Sequence, residues 1–353
     1  MKLVEWWEDG ISIMPRRKNN IWRNKITFSN LLNAHKRAKK GKRFRDEVIR
    51  FEMNLEENLI NIGKELLNGT YRFGKFREFR IYEPKERIIK VLPYRDRIVH
   101  QLYVEECLKP IFVKDFISDS YACIKGRGVH QAIKRLYYYM KKMSKENSDY
   151  YILKCDISKY FYSVDHDLLY DTVSRRIKDK DFLRFTRKII FCNDESKGIP
   201  IGNYTSQYFA NIFLNRLDKY VKEDLKIKYY VRYMDDFVIL LNGKNECKLY
   251  RKKIETFLDN LKLKLNPKTA YFKNGDGVNF CGYKLFNDKI LLKNKNKTRL
   301  KRWFRKLQRM YSSDEVTLEE ITRKIPSIRG YLKHCKSYRL YERIIDKFIL
   351  SKQ

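Results

Sequence analysis

The sequence predicts an α+β fold, a core of short strands and helices flanked by helical and strongly basic parts. Three observations carry that prediction. Apolar runs of strand length sit next to aspartates at 150–156 and 228–241. Around them lie stretches with apolar residues three and four apart, the spacing of helices that bury one face. From residue 286 onward the chain turns basic, and NKNKTRLKRWFRKLQRM carries Lys or Arg at nearly every second position.

In chain order, 28–68 reads as helical. Its first part, HKRAKKGKRFR, is nearly all basic, and FEMNLEENLINIGKELLNG then places apolar residues at helical spacing before a glycine stop. Residues 71–91 shift to short strands, FREFRIYEP and ERIIKVLP, broken by prolines. Another helix is expected over 95–108. The stretch YYILKCDISKYFYSV (150–164) reads as a buried strand followed by a turn. Residues 166–192 look helical, KGIPIGN (197–203) is a Gly/Pro loop, and a helix follows over 205–222. KYYVRYMDDFVILL (228–241) reads as a hairpin, two hydrophobic strands around a polar MDD turn. A helix over 244–263 and a strand pair around NFCGYKLF precede the basic helices.

With 353 residues and a hydrophobic fraction of 43%, the chain can bury a substantial core shared among subdomains. Lys and Arg number 78 against 43 acids, a net charge of +35. Such an excess repels itself unless a polyanion shares the working state, which points to RNA or DNA. General solubility or a membrane-surface patch is the plainer alternative. The 26 Tyr and 21 Phe offer rings on which bases can stack, although most will be core. No run of about 18 apolar residues is present, so no membrane span is expected. The start, MKLVEWWEDGISIMPRRKNN, has tryptophans and acids where a signal peptide needs an apolar stretch, so a cytoplasmic address is expected. The seven cysteines stand singly and the five histidines share no ligand spacing, which argues against disulfides and zinc.

The chemistry is expected at aspartates. Asp235 and Asp236 at a hairpin tip place like charges on a rigid element, a strain that a divalent cation relieves. Asp-Asp in a turn is common, and Asp156 alone could simply cap its strand. Two strands that each deliver carboxylates at one end would, if adjacent, converge on one point. Hard oxygens with positions left open for water and phosphate suit magnesium, and two such ions about 4 Å apart suit nucleotidyl transfer.

The order Asp-x4-Phe, a Gly/Pro loop ending in Ser-Gln, Tyr-Met-Asp-Asp, then Phe-x-Gly-Tyr resembles reverse transcriptases, from about residue 28 to the end. FEMNLEENL, RIYEPKERIIKVLPYRDRIVHQ, SYACIKGRGVHQA, IPIGNYTSQYFANIFLNRLD and VRYMDDFVIL are similar to reverse transcriptases of diversity-generating retroelements. The resemblance implies a right-hand polymerase of fingers, palm with antiparallel sheet, and helical thumb. Residues 1–27 would be an N-terminal extension, 28–148 fingers together with part of 166–200, 149–285 palm, and 286–353 thumb.

It also implies an RNA-directed DNA polymerase with two Mg2+ ions on Asp156, Asp235, Asp236 and the backbone carbonyl of Ile157. Phe161 would be the gate under the sugar, with a core ring as the alternative. Lys85 and Arg87 would bind the triphosphate, with solvated surface charge as the alternative. Ile201 and Gly202 would face the nascent base pair, Ser206 and Gln207 would begin the helix beneath the template, and Lys268 is a candidate proton donor to pyrophosphate. Phe280, Gly282 and Tyr283 would grip the primer.

One departure stands out. Most of the family carries Pro-Gln-Gly where this chain reads Pro200-Ile201-Gly202. The retroelement relatives share that kind of replacement and are error-prone, notably opposite template adenines, so relaxed fidelity is expected. With no RNase H or endonuclease segment after the basic helices and no Val-Thr-Gly motif of retron enzymes, a small stand-alone polymerase is expected. Its implied partners are an RNA template, the DNA product and dNTPs, with a structured RNA and a small basic accessory protein. A defence-associated reverse transcriptase working on a non-coding RNA or without a template is the rival reading. An inactive RNA-binding relative is a further one, against which the three intact aspartates speak.

Overall fold

The segment 28–68, expected to be helical, forms three helices. In the computed structural model, which describes residues 17–82, 86–192 and 195–352, Thr27 accepts the Asn30 N–H and starts α1 (Phe28–Lys39). The turn that follows contains Gly41 at φ 71, and α2 (Asp46–Met53) and α3 (Leu55–Asn68) are separated by Asn54. Gly69, at φ 72, ends α3 with its N–H directed at the Glu65 and Leu66 carbonyls, the left-handed stop that glycine favours.

Next come β1 (Arg77–Ile81) and β2 (Arg87–Val91), an antiparallel pair, and α4 (Tyr94–Leu102), which continues into a wider turn over Tyr103–Leu108. The short α5 (Lys109–Phe112) and the long α6 (Val129–Glu146) precede β3 (Tyr151–Asp156). After β3 lie α7 (Tyr160–Ser163), α8 (His166–Ser174) and α9 (Lys180–Ile190). The helical stretch expected over 166–192 is two helices, because Asp179 accepts the Phe182 N–H and caps a new start. The chain then runs through α10 (Tyr204–Lys219), β4 (Tyr230–Tyr233), β5 (Asp236–Leu241), α11 (Lys244–Asn260) and β6 (Ala270–Lys273). It closes with β7 (Val278–Phe280), β8 (Tyr283–Leu285), β9 (Ile290–Leu292), α12 (Asn294–Ser312), α13 (Leu318–Leu332) and α14 (Tyr338–Ile345). The expected strand pair around NFCGYKLF is a three-stranded sheet, since β9 adds to β8.

The chain forms two compact units, one running up to Phe116 and including Lys159–Arg216, the other made of Ile117–Ser158 and the rest from Leu217. The break at 116/117 separates these units. Residues 117–148 belong with β3 because α6 buries Ala132, Ile133, Leu136, Tyr139, Met140 and Met143 in one cluster with Ile152, Val231 and Val238. The first unit is held by aromatic packing: Trp22 stacks on Phe185 at 4.5 Å and meets Tyr103 and Phe182 edge-on. The second contains a four-stranded sheet in the order β4-β5-β3-β6, antiparallel throughout, with α6 and α11 packed against it. Mixed helix with antiparallel sheet is the α+β class that the sequence predicts.

Candidate active site

The two apolar strands β3 and β5 are driven inward by Ile152, Leu153, Val238 and Ile239, all fully buried. Their register then fixes what stands at the sheet's end. Asp156 lies directly opposite Asp236, and Tyr233 pairs with Asp236 across the two-residue turn Met234–Asp235. The register therefore places three aspartates at one end of the central strands. Like charges directly opposite each other destabilise a strand pair, so this arrangement calls for a cation.

Several contacts tie the carboxylates down. The Ile157 N–H donates to the Asp235 carbonyl at 3.2 Å. Asn266 donates twice to Asp156, from its backbone N–H to the carbonyl at 2.7 Å and from Nδ2 to Oδ2 at 2.9 Å. The Lys154 ammonium lies against Asp236 Oδ1 and 5.1 Å from the centre of the Phe280 ring. Burial lowers the Lys154 pKa to about 8. Lys154 and Asp156 share one face of β3 by the alternation of a strand, so an internal cation sits where the like charges converge.

The donor set suits magnesium in type. It offers hard carboxylate oxygens at a strand end, with remaining positions left to water and phosphate. Among the described residues no three or more His, Cys, Asp or Glu side chains are gathered closely enough to hold a metal ion by themselves. Asp156, Asp235 and Asp236 are the oxygen donors at this strand end, and an ion held there would need further ligands from water or substrate.

In the same unit, Phe280 and Tyr283 pair across the turn from β7 to β8. Gly282 in that turn has φ 90, and its carbonyl accepts from Asn296 Nδ2 at 2.9 Å. The Tyr283 hydroxyl donates to the Tyr331 carbonyl at 2.9 Å. The exposed Lys268 donates its backbone N–H to Asn266 Oδ1 at 3.0 Å, two residues from the group that holds Asp156.

The first unit holds the other expected residues. Arg87 opens β2, exposed and opposite Ile81, whereas Lys85 lies outside the described residues. The Gly/Pro loop is bound to that strand: the Lys90 N–H donates to the Ile201 carbonyl at 2.9 Å. Gly202 has φ 122, and a Cβ there would lie 2.8 Å from the Lys90 carbonyl oxygen. Its freedom is already required by strand packing. Phe161 is half-buried on α7, with its ring 5.8 Å from that of Tyr160, and its carbonyl accepts the Ile199 N–H at 2.7 Å. On α10, Ser206 is buried and Gln207 exposed.

Sequence reasoning missed Asn266, Lys154 and Arg232. A charged residue inside an apolar strand is a signal that could have found the last two. Asn266 stands only one residue before a proline in LNPKT, and its partner is far away in sequence.

Residues 82–285 match the family model described as reverse transcriptase (RNA-dependent DNA polymerase). Protein YkfC of Escherichia coli strain K12 is 30% identical over 267 residues, covering 63% of this chain and 69% of that protein. The group II intron-encoded protein LtrA of Lactococcus lactis subsp. cremoris is 23% identical over 306 residues, covering 65% of this chain and 49% of LtrA. A solved telomerase structure from Candida tropicalis, in complex with a fragment of telomeric RNA, is 15% identical with a TM-score of 0.48. That match covers 78% of this chain and 54% of the telomerase. The chain thus spans about half the length of LtrA and of the telomerase.

Proposed function

We propose, from the premise that this chain belongs to the reverse transcriptase family, that it copies RNA into DNA by nucleotidyl transfer at Asp156, Asp235 and Asp236. The observation that carries this is the register that sets Asp156 opposite Asp236 beside the Met234–Asp235 turn. Bound magnesium would supply Lewis-acid activation of the primer 3′-hydroxyl and neutralise charge on the leaving pyrophosphate. Asp156, Asp235 and the Ile157 backbone carbonyl would hold the ions, with Asp236 in a supporting role.

The remaining residues bind and orient. Lys85 and Arg87 take the triphosphate, for which the guanidinium fork is suited. Phe161 packs under the sugar and excludes a 2′-hydroxyl, Ile201, Gly202 and Gln207 line the nascent pair, and Lys268 protonates the leaving pyrophosphate. Phe280, Gly282 and Tyr283 hold the primer end. Lys297, Lys301, Arg305, Arg339 and Arg343 line two cavities of about 340 Å³ each along α12 and α14, a basic surface suited to phosphodiester backbone. In family terms the palm carries the aspartates, the fingers the triphosphate cations, and the thumb these basic helices.

The finer assignment is an error-prone enzyme of a diversity-generating retroelement, working in the cytoplasm with a structured RNA and a small basic accessory protein. Ile201 supports it, since an apolar side chain cannot make polar contacts beside the nascent pair. No helix of the described residues is long and apolar enough to cross a membrane. Copying a defined RNA with Mg2+ and dNTPs and sequencing the products tests the assignment. Misincorporation concentrated at template adenines is expected. Accurate copying would refute the retroelement role, and equal synthesis without template would favour the defence reading.

A further inference from the structure

Arg232 is fully buried, and so is Asp218, the acid that it meets. The pairing is bidentate: Nε reaches Oδ1 and Nη2 reaches Oδ2, both at 2.6 Å. Desolvating two charges is costly, and replacement by apolar residues of like volume is often neutral or stabilising, so stability alone is a weak reason for such a pair. Its geometry gives a better one. The Tyr230 hydroxyl fixes Asp218 Oδ1 at 2.7 Å, and Ser120 Oγ accepts from Nη2 at 3.0 Å. The backbone of Arg232 is held on both sides, by the Asp119 carbonyl at 2.9 Å and the Tyr121 N–H at 3.1 Å. With the fork immobilised, Nη1 donates to the Met234 carbonyl at 2.9 Å.

Met234 is where such a grip is required. Its φ is 58, the left-handed region that a side chain with a Cβ adopts at a cost of about 1–2 kcal/mol. It is the first residue of the two-residue turn, and the second is Asp235. A turn of this kind ordinarily calls for Asn or Gly. Here a charged donor on a rigid buried base holds the strained carbonyl instead, which fixes the direction in which Asp235 leaves the turn.

We infer that the Arg232–Asp218 pair is a positioning device: through the Met234 carbonyl it holds the Met234–Asp235 turn and so aims the Asp235 carboxylate. The metal part of this inference rests on the proposed role of Asp235, whereas the turn part does not. The test uses the full chain without nucleic acid and compares the wild type with Arg232→Lys, Asp218→Asn and Asp235→Ala. It reads Mn2+ affinity by electron paramagnetic resonance, amide hydrogen exchange over residues 233–237, and folding by circular dichroism. Lysine keeps the charge but cannot serve Asp218, Ser120 and Met234 at once.

Folded Arg232→Lys and Asp218→Asn should exchange the turn amides at least several-fold faster and bind Mn2+ roughly tenfold more weakly, the usual scale for groups that orient metal ligands. Unchanged exchange and affinity in either folded variant would overturn the inference. So would failure of both variants to fold, since the pair would then be a core stabiliser. If Asp235→Ala leaves Mn2+ binding intact, the metal role of Asp235 falls, and turn exchange alone still decides what Arg232 does.

Discussion

At the scale of single residues, the site depends on side chains that never touch substrate. Asn266 clamps Asp156 through Nδ2 and receives the Lys268 N–H on Oδ1. Asn266→Ala should lower the primer-extension rate about tenfold, the lower end of the usual effect of an orienting partner. Its melting temperature should stay close to wild type, because its backbone bond to Asp156 survives; initial rates beside a thermal melt check both. Phe161→Ala should raise ribonucleotide use relative to deoxyribonucleotide use, measured as the ratio of kcat/KM values. An unchanged ratio would make Phe161 a packing ring. The placement of the three aspartates was legible because acids at the ends of apolar strands stand out. Asn266 and the Arg232–Asp218 pair were not, because their meaning lies in partners that only the folded sheet brings near.

At the scale of elements, the Gly/Pro loop and β2 act as one piece, joined by the bond from the Lys90 N–H to the Ile201 carbonyl. Gly202→Ala puts a Cβ 2.8 Å from the Lys90 carbonyl oxygen at φ 122, and should destabilise the first unit by about 1–3 kcal/mol. Denaturant titration followed by tryptophan fluorescence is suited to the check, since the buried Trp22 belongs to that unit. The hairpin around Met234–Asp235, β3 and the basic α12 were legible from period and composition. Strand β6 was not, because its four residues alternate in neither polarity nor burial. Helix α6 carries apolar residues at helical spacing, yet Tyr137, Tyr138 and Tyr139 are strand-forming residues that blur it. In the structure α6 packs with the strands that follow it.

For the whole molecule, the governing quantity is a net charge of +35. Template–primer binding should weaken roughly a thousandfold between about 50 and 200 mM salt if some six phosphates are neutralised. Charge reversal at Lys301 and Arg305 should flatten that slope, and fluorescence anisotropy across a salt series reads both. The central claim is that Asp156, Asp235 and Asp236 make this basic chain a metal-dependent polymerase. Primer extension on an RNA template with Mg2+ and dNTPs, wild type beside Asp235→Ala/Asp236→Ala, tests it most directly. Extension by the wild type, abolished in the double variant while duplex binding persists, is the predicted result. Extension that survives loss of both aspartates would contradict the account.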